Sequence, residues 1–160
     1  MFVAMMTVAS PPPADLAPLK LEDQLCFALY SASIAVSRLY KPLLDRLGLT
    51  YPQYLVMLAL WERDGVPVKD IGERLFLDSG TLTPLLKRLE AAQLIRRTRS
   101  TADERQVLIA LTSHGHALKE KARTVPQSIL AASACSIAEL TALKDDLIGL
   151  RDRLDAVAEE

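Results

Sequence analysis

The segment from Leu77 to Glu90, LDSGTLTPLLKRLE, contains the pattern that decides the fold. Its leucines at positions 82, 85, 86 and 89 have the spacing with which an α-helix presents one apolar face. Asp78 or Ser79 can cap this helix. Pro84 is tolerated because its missing N–H matters least in or just past the first turn. The segment predicts an amphipathic helix over Ser79 to Ala92.

The residues on either side predict a helix-turn-helix followed by a hairpin. Upstream, Val68 to Phe76 places Ile71 and Leu75 on one face of a short helix. Downstream, Leu94 to Ser100 and Arg105 to Leu111 have the composition of strands, separated by a polar turn. Two short, tightly joined helices ahead of a hairpin are typical of a winged helix-turn-helix.

Two longer helical segments are predicted ahead of this unit. Apolar residues recur at helical spacing from Leu21 to Leu47, and Pro42 is expected to kink that helix. Thr50 and Gln53 have the spacing of a capping box and start a second helix. The side chains expected to face inward from it are Leu55, Leu58 and Trp61.

The C-terminal part predicts two further helices. Thr112 can cap one that runs to about Val125, and Ser136 with Glu139 forms a capping box that opens the last. The last helix carries apolar residues at alternating steps of three and four: Leu140, Leu143, Leu147, Leu150, Leu154 and Val157. This is the seam of a coiled-coil-like helix, which needs a partner. Together with the first helix it predicts a two-fold homodimer interface.

Length and composition indicate one globular unit. The chain has 160 residues, of which 50% are hydrophobic and 24% charged, with a net charge of -1. We interpret residues 1–18 as a flexible tail and residues 19–160 as a single domain. Within it, the winged core covers about 50–112 and the dimerisation helices about 20–47 and 113–158. The expected fold class is mainly α (α+β), a winged helix-turn-helix with N- and C-terminal dimerisation helices.

Several classes of protein and site are not expected. The longest apolar run, Tyr54 to Trp61, is far shorter than the roughly 20 residues of a membrane span. Two cysteines without paired Cys/His spacing argue against a disulfide framework and a zinc site, and favour a reducing cytoplasm. His114 and His116 could bind a metal, but surface histidines at a helix start are the simpler interpretation. We expect no metal, no cofactor, no membrane and no signal peptide.

Charge is segregated along the chain. From Pro84 to Arg105 there are six cations against three acids, a balance of +3, whereas residues 136–160 have three cations against seven acids. The basic part favours double-stranded DNA as the partner. An ordinary amphipathic surface helix is the alternative for the helix alone. The candidate DNA-binding residues in the helix and the following strand are Ser79, Thr81, Thr83, Pro84, Lys87, Arg88 and Arg97.

The segment Leu21 to Ala122, nearly two thirds of the chain, resembles the MarR family of winged-helix repressors. Within it, the similarity is to the organic hydroperoxide sensor (OhrR) group. The stretches that carry it are LEDQLCFALY, YKPLLDRLGLTYPQY, LDSGTLTPLLKRLE and TADERQVLIALT. The resemblance implies a homodimeric repressor of an inverted-repeat operator, induced by an organic hydroperoxide. It also implies that Arg105 enters the minor groove and that Asp103 orients it by a charge-assisted hydrogen bond.

The same resemblance assigns roles to the cysteines and two tyrosines. Cys26 matches the peroxide-reactive cysteine, and Tyr40 and Tyr51 match the tyrosines that hydrogen-bond it. Cys135 matches the resolving cysteine of a two-cysteine branch, in which it forms a disulfide with Cys26 of the other subunit. From the residues alone, phenols near Cys26 could stabilise a thiolate, whereas a lone helical cysteine is more often an inert core residue.

Three other functions remain open at this point. Cys26 could be the nucleophile of a thiol peroxidase, although no second catalytic constellation accompanies it. A repressor of the same fold could respond to a small phenolic or aromatic ligand. A structural dimerisation module is the third possibility, but it leaves the basic segment unexplained.

Overall fold

The computed structural model describes residues 19–101, 103 and 105–158. The tail predicted for residues 1–18 lies outside them. Contacts divide the chain into two compact units, one ending at Val36 and one starting at Ser37. After a 3-10 turn at Leu21–Asp23, the elements in chain order are α1 (Leu25–Asp45), α2 (Tyr51–Glu62), β1 (Val66–Pro67), α3 (Val68–Leu75), α4 (Ser79–Ala91), β2 (Ile95–Arg99), β3 (Val107–Leu111), α5 (Ser113–Ala122), α6 (Thr124–Ser133) and α7 (Ile137–Ala158).

The first unit exposes most of its apolar side chains. It contains the 3-10 turn and the first half of α1, a helix that continues through Pro42 in the second unit. Its exposed large apolar residues are Leu19, Leu21, Leu25, Leu29, Tyr30 and Val36. None of the described residues in this unit is buried. The unit therefore presents an apolar surface that a single chain leaves in water.

Helix α2 lies at the centre of the second unit. Its capping box is confirmed, because the Gln53 side chain accepts the Thr50 backbone N–H at 2.8 Å and Thr50 Oγ1 accepts the Gln53 N–H. The inward face is broader than predicted, since α2 packs against α3, α4 and α5. The buried side chains include Tyr54, Val56, Met57 and Leu60. The predicted inward residues Leu55, Leu58 and Trp61 are only partly buried.

Helices α3 and α4 form the predicted helix-turn-helix. Ile71 on α3 is 1% exposed, and the four leucines of α4 are all buried, as their spacing predicted. Asp78 is the residue that caps α4. Phe76 adopts a left-handed conformation, φ 55°, and reverses the chain between the helices. A Cβ on Gly72 would lie 3.0 Å from the Leu77 carbonyl oxygen, so the turn is tight.

The hairpin is part of a three-stranded antiparallel sheet with the order β1, β3, β2. Strands β2 and β3 pair from Ile95 with Leu111 to Arg99 with Val107. The short strand β1, which was not predicted, pairs Val66 with Ile109. Two residues are too few to give a periodic signal, and this strand exists only because the wing lies beside it.

The C-terminal helices differ in number from the prediction. Thr112 caps α5 as expected, but α5 ends at Ala122 and a separate helix, α6, follows it. Pro126 is the third residue of α6, where a missing N–H costs little, so it does not break the helix. Gly115 has no space for a side chain, because a Cβ there would overlap the Leu94 carbonyl. Its own carbonyl accepts the Trp61 indole N–H at 2.9 Å, which fixes α5 against α2.

Candidate nucleic-acid interface and redox residues

The polar face of α4 is exposed. Ser79, Thr81 and Pro84 lie in its first turns, followed by Lys87 and Arg88, and all five are exposed. Thr83, also a candidate, is only partly buried. Small hydroxyl groups at the start of the helix and cations one turn later suit contacts with bases and phosphates. The position of these side chains agrees with the predicted recognition helix.

The Asp78 carboxylate fixes the start of α4. It accepts the Thr81 backbone N–H and the Thr81 hydroxyl, each at 2.9 Å. These hydrogen bonds, the backbone bond first, hold the pKa of Asp78 below its usual value. The Thr81 hydroxyl hydrogen is therefore used by the cap. Its oxygen is left to accept a hydrogen bond from a base or from water.

Among the described residues, the cations near α4 and the wing have no acidic partner. None of the ion pairs found in residues 19–101, 103 and 105–158 includes Lys87, Arg88, Arg96, Arg99 or Arg105. By contrast, the cations of several other helices are paired, as Lys41 is with Asp45. Exposed cations that are concentrated on one surface and lack acidic partners attract the phosphate backbone of nucleic acids.

The wing turn differs in detail from the prediction. Asp103 Oδ1 accepts the backbone N–H of Arg105 at 3.0 Å, and no ion pair within the described part of the chain joins the two side chains. The expected charge-assisted bond to the guanidinium is thus corrected to a bond that shapes the backbone, because a carboxylate two residues before an N–H readily closes an Asx turn. Arg105 itself is exposed.

Of the predicted DNA contacts, Arg97 has the position least suited to reaching DNA. It is partly buried and lies on the same face of β2 as the buried Ile95. Its neighbour Arg96 is on the opposite face and exposed. Alternation along a strand separates these two arginines, and sequence alone did not establish which one points outward.

A groove of about 380 Å³ lies between the wing and the start of α3. It is lined by Lys69 and Asp70 on one side and by Arg105 and Gln106 on the other. Lys69 was not among the predicted residues. The sequence feature that could have identified Lys69 is its position in the first turn of α3, the helix before α4. In the structure, this turn lies beside the wing.

Tyr40 and Tyr51, predicted from different helices, lie together. Their ring centroids are 4.9 Å apart with an interplanar angle of 62°, an edge-to-face contact. Tyr54 joins them at 6.0 Å from Tyr40 and leads on to Trp61 at 6.3 Å. Burial, and then the neighbouring Tyr51, raise the pKa of Tyr40 above its usual 10.0. The phenol therefore stays protonated, and able to donate, well above neutral pH.

The two cysteines are free and exposed. Cys26 is the second residue of α1 and belongs to the first unit, whereas Tyr40 and Tyr51 belong to the second. The Cys135 thiol lies 3.3 Å from the Ser133 carbonyl oxygen, to which it donates. It directly precedes Ser136, whose backbone N–H and hydroxyl both donate to Glu139, so the predicted capping box of α7 is confirmed.

The seam of α7 is exposed in the single chain. Leu143, Leu147 and Leu154 are 55%, 40% and 59% exposed, although all three lie on one face of the helix. A contiguous apolar stripe of this kind marks an interaction surface. Within the described residues, no helix is long and apolar enough to span a membrane, and no group of three metal-ligating side chains is found.

A family model confirms what this geometry indicates. Residues 38–122, which include α2 to α5 and the wing, match the model for the transcriptional regulator SarA/Rot family. The chain belongs to this family of winged-helix transcriptional regulators. The predicted winged helix-turn-helix is confirmed with it, and so is the resemblance to the MarR and OhrR regulators.

Two curated relatives are similar over most of the regulator. It is 54% identical over 136 residues to the organic hydroperoxide resistance transcriptional regulator of Bacillus subtilis, with 85% of this chain and 92% of the relative covered. It is 53% identical over 141 residues to the HTH-type transcriptional regulator TtmR of Methylorubrum extorquens, with 88% and 72% covered.

AbfR of Staphylococcus epidermidis is similar in structure and has been solved in several redox states. Reduced AbfR bound to DNA superposes with a TM-score of 0.73 at 37% identity, covering 86% of the regulator and 94% of that chain. Overoxidised AbfR bound to DNA gives 0.69 at 38% identity, covering 84% and 94%. The disulfide form gives 0.59 at 36% identity, covering 88% and 93%.

Proposed function

We propose that the regulator is a homodimeric repressor that binds double-stranded operator DNA when reduced and releases it when an organic hydroperoxide oxidises Cys26. In this proposal Cys135 of the partner subunit resolves the oxidised Cys26 as an intersubunit disulfide. The observation that carries the proposal is that the exposed cations of α4 and the wing have no acidic partner among the described residues, together with two exposed cysteines. The protein is then a stoichiometric sensor rather than an enzyme.

The DNA contacts follow from the exposed groups. The first turns of α4 would enter the major groove, with Ser79, Thr81, Thr83 and Pro84 near base edges and Lys87 and Arg88 near phosphates. Arg105, exposed at the wing, would reach the minor groove, on a turn that Asp103 shapes. Two such units in a two-fold dimer would address an inverted repeat. The DNA-bound state of AbfR supports this assignment.

The dimer would cover the apolar surfaces that the single chain exposes. The seam of α7 and the apolar side chains of the first unit are both in water in one chain. Burying such surface contributes about 25 cal/mol per Å². In a two-fold dimer the same surface of each subunit faces its equivalent. One apolar stripe per chain is therefore sufficient to form the interface.

The redox step balances with one equivalent of hydroperoxide. The Cys26 thiolate attacks the peroxide oxygen, the O–O bond breaks, and protonation of the leaving alkoxide yields an alcohol and Cys26 sulfenic acid. The Cys135 thiolate then attacks the Cys26 sulfur, the S–O bond breaks, and the departing hydroxide takes up a proton to give water, leaving the disulfide. The phenols of Tyr40 and Tyr51 would stabilise the Cys26 thiolate by hydrogen bonding.

The oxidation states known for AbfR support the disulfide as the releasing step. An overoxidised form of that protein was solved bound to DNA, and a separate disulfide form was solved as well. In the regulator, a disulfide would bring the Cα atoms of Cys26 and Cys135 within about 7 Å. Such a covalent constraint between two subunits can move helices, whereas overoxidation of one sulfur forms no link between them.

A second candidate is a repressor released by a small aromatic ligand. A pocket of about 190 Å³ favours it, lined by Leu58, Trp61, Ala122 and Pro126 and also by the charged residues Glu62, Lys119 and Arg123. A pocket of this size and lining suits one small aromatic ring. This mechanism would leave the cysteines without a role in release.

Operator binding before and after oxidation distinguishes these mechanisms. Fluorescence anisotropy with labelled operator, selected from random duplexes by the reduced protein, would be measured before and after one equivalent of cumene hydroperoxide. We expect wild type to release DNA and to rebind after thiol reduction, and Cys26→Ser to bind but not respond. A Cys26→Ser protein that still releases DNA would contradict the redox mechanism. Repeated turnover of hydroperoxide with a thiol reductant would instead support a peroxidase.

A further inference from the structure

Phe76 in the turn of the helix-turn-helix is covered by an arginine from the last helix. The guanidinium carbon of Arg151, on α7, lies 4.7 Å from the centroid of the Phe76 ring. Phe76 is 65% exposed even with this contact in place, and its φ of 55° is unusual for a residue with a bulky side chain. An exposed aromatic ring in a left-handed turn gains stability from a partner, and Arg151 is that partner.

Arg151 is held in position by its own neighbour. Its Nε and Nη2 donate to Asp152 Oδ1 at 2.9 and 2.6 Å. This contact limits the orientations of the guanidinium, because its partner lies on the same helix. The guanidinium is therefore expected to move together with α7. The other arginine nearby on α7, Arg153, does not contact Phe76 among the ring contacts of the described residues.

The turn transmits the position of Phe76 directly to α4. The Phe76 N–H bonds to carbonyls of α3, and the next residue, Leu77, bonds to the Gly72 carbonyl at 2.9 Å. Asp78, the cap of α4, follows at once. A Cβ on Gly72 would lie only 3.0 Å from the Leu77 carbonyl oxygen, so the chain is closely packed at this turn. The residue that carries the stacked ring is therefore only two positions before the cap of the recognition helix.

The N-terminal end of α7 lies two residues after Cys135. The helix is continuous from Ile137 to Ala158, and Arg151 is fourteen residues, about 21 Å, along it. A helix is stiff over this length, so a movement at Cys135 also moves Arg151. The Phe76 and Arg151 pair thus lies between the resolving cysteine and the DNA-reading helix of the same chain.

We propose that the stacking of Arg151 on Phe76 couples the position of α7 to the recognition helix α4, so that the redox state of Cys135 alters operator affinity through this contact. The inference rests on the proposed disulfide switch. Phe76 and Arg151 are both positioning residues, since neither is among the residues proposed to touch DNA or peroxide. Removing the stacking should reduce the difference in DNA affinity between the two redox states rather than abolish binding.

The test compares the operator Kd of the reduced and the disulfide-linked protein in three variants. Phe76→Leu removes the ring, Arg151→Gln removes the cation, and the double variant removes both. We expect each single change to lower the ratio of the two Kd values by about two- to fivefold, the range of an exposed cation–π contact. The double variant should lower the ratio no further, and Phe76→Tyr, which keeps a ring, should retain it.

Controls separate this contact from general effects on α7 and on folding. Arg153→Gln removes an exposed arginine two residues along the same helix and should leave the ratio unchanged. If Phe76→Leu fails to fold, Arg151→Gln on the exposed helix still tests the contact. Unchanged ratios in both single variants, or an equally lowered ratio in Arg153→Gln, would overturn the coupling. If wild type forms no disulfide on a non-reducing gel, the proposed switch itself fails and the coupling falls with it.

Discussion

The ring of Tyr40 meets the ring of Tyr51 edge to face, with centroids 4.9 Å apart. The contact joins α1 to the first turn of α2 and brings together two phenols that are eleven positions apart in the sequence. Because burial raises the pKa of Tyr40, one of the pair remains a hydrogen-bond donor at any physiological pH. A proposed role in stabilising a thiolate requires this property.

Tyr40→Phe and Tyr51→Phe should each slow the oxidation of Cys26 by about tenfold at neutral pH. Each removes a hydrogen bond to a charged group, which contributes about 1.5 kcal/mol or more. The rate would be followed by thiol alkylation and mass spectrometry after addition of cumene hydroperoxide. Tyr54→Phe is the matched control, since Tyr54 lies in the same ring cluster, 6.0 Å from Tyr40, and has no proposed role. Equal rates in all three variants would remove the tyrosines from the mechanism.

The raised pKa of Tyr40 also predicts a loss of stability in alkali. A group whose pKa is higher in the folded state stabilises the fold fully below its unfolded pKa, near 10.0, and this contribution disappears as the pH rises through the folded value. Urea unfolding measured across this range should therefore show a steeper decline for wild type than for Tyr40→Phe. Identical pH dependence in the two proteins would contradict the burial of this phenol.

Thr50→Ala should destabilise the protein by about 1 kcal/mol, because it removes the hydroxyl half of the α2 capping box. Thr50→Ser keeps the hydroxyl and should be destabilised much less. Urea denaturation of both variants checks the prediction. An equal destabilisation in Thr50→Ser would indicate that the methyl group, rather than the cap, is responsible.

Operator binding should depend on salt through the exposed cations of α4. Replacing Lys87 or Arg88 by alanine should lower the slope of log K against log salt by about 0.9 for each phosphate that the variant no longer neutralises. Arg153→Ala removes an exposed cation from α7 and should leave the slope unchanged. If the Lys87 and Arg88 variants keep the wild-type slope, α4 does not touch the DNA backbone through these side chains.

Leu147→Glu should dissociate the dimer. Leu147 lies on the apolar seam of α7, where a carboxylate would have to be buried against a second subunit. Ala138→Glu adds the same charge on the opposite side of the helix, at an exposed position, and should remain dimeric. Sedimentation velocity distinguishes the two. A dimeric Leu147→Glu protein would place the interface elsewhere.

Local signals account for what the sequence predicted well. The leucines of α4, the capping boxes of α2 and α7 and the Thr112 cap depend on residues close to each other in the sequence, and all are present in the structure. The separate helix α6, which the sequence analysis missed, contains Pro126. A proline suggests a break, but a helix that starts two residues earlier accommodates it.

Features that depend on distant residues were not predictable in this way. Strand β1 exists through its pairing of Val66 with Ile109, and α5 is fixed by the bond from Trp61 to Gly115. The stacking of Arg151 on Phe76 joins positions 75 residues apart. Residue types identified Arg97 as a DNA contact, but the strand register places it on the face of a buried isoleucine.

The most direct test of the intersubunit disulfide mixes two variants that cannot form it alone. Cys26→Ser and Cys135→Ser proteins would be allowed to exchange subunits, treated with one equivalent of cumene hydroperoxide, and analysed by non-reducing gel and operator anisotropy. We predict that the mixture forms a covalent dimer between Cys26 of one chain and Cys135 of the other, and releases DNA, while each variant alone does neither. A mixture that forms no covalent dimer, although the wild-type protein oxidises and releases DNA, would contradict the mechanism.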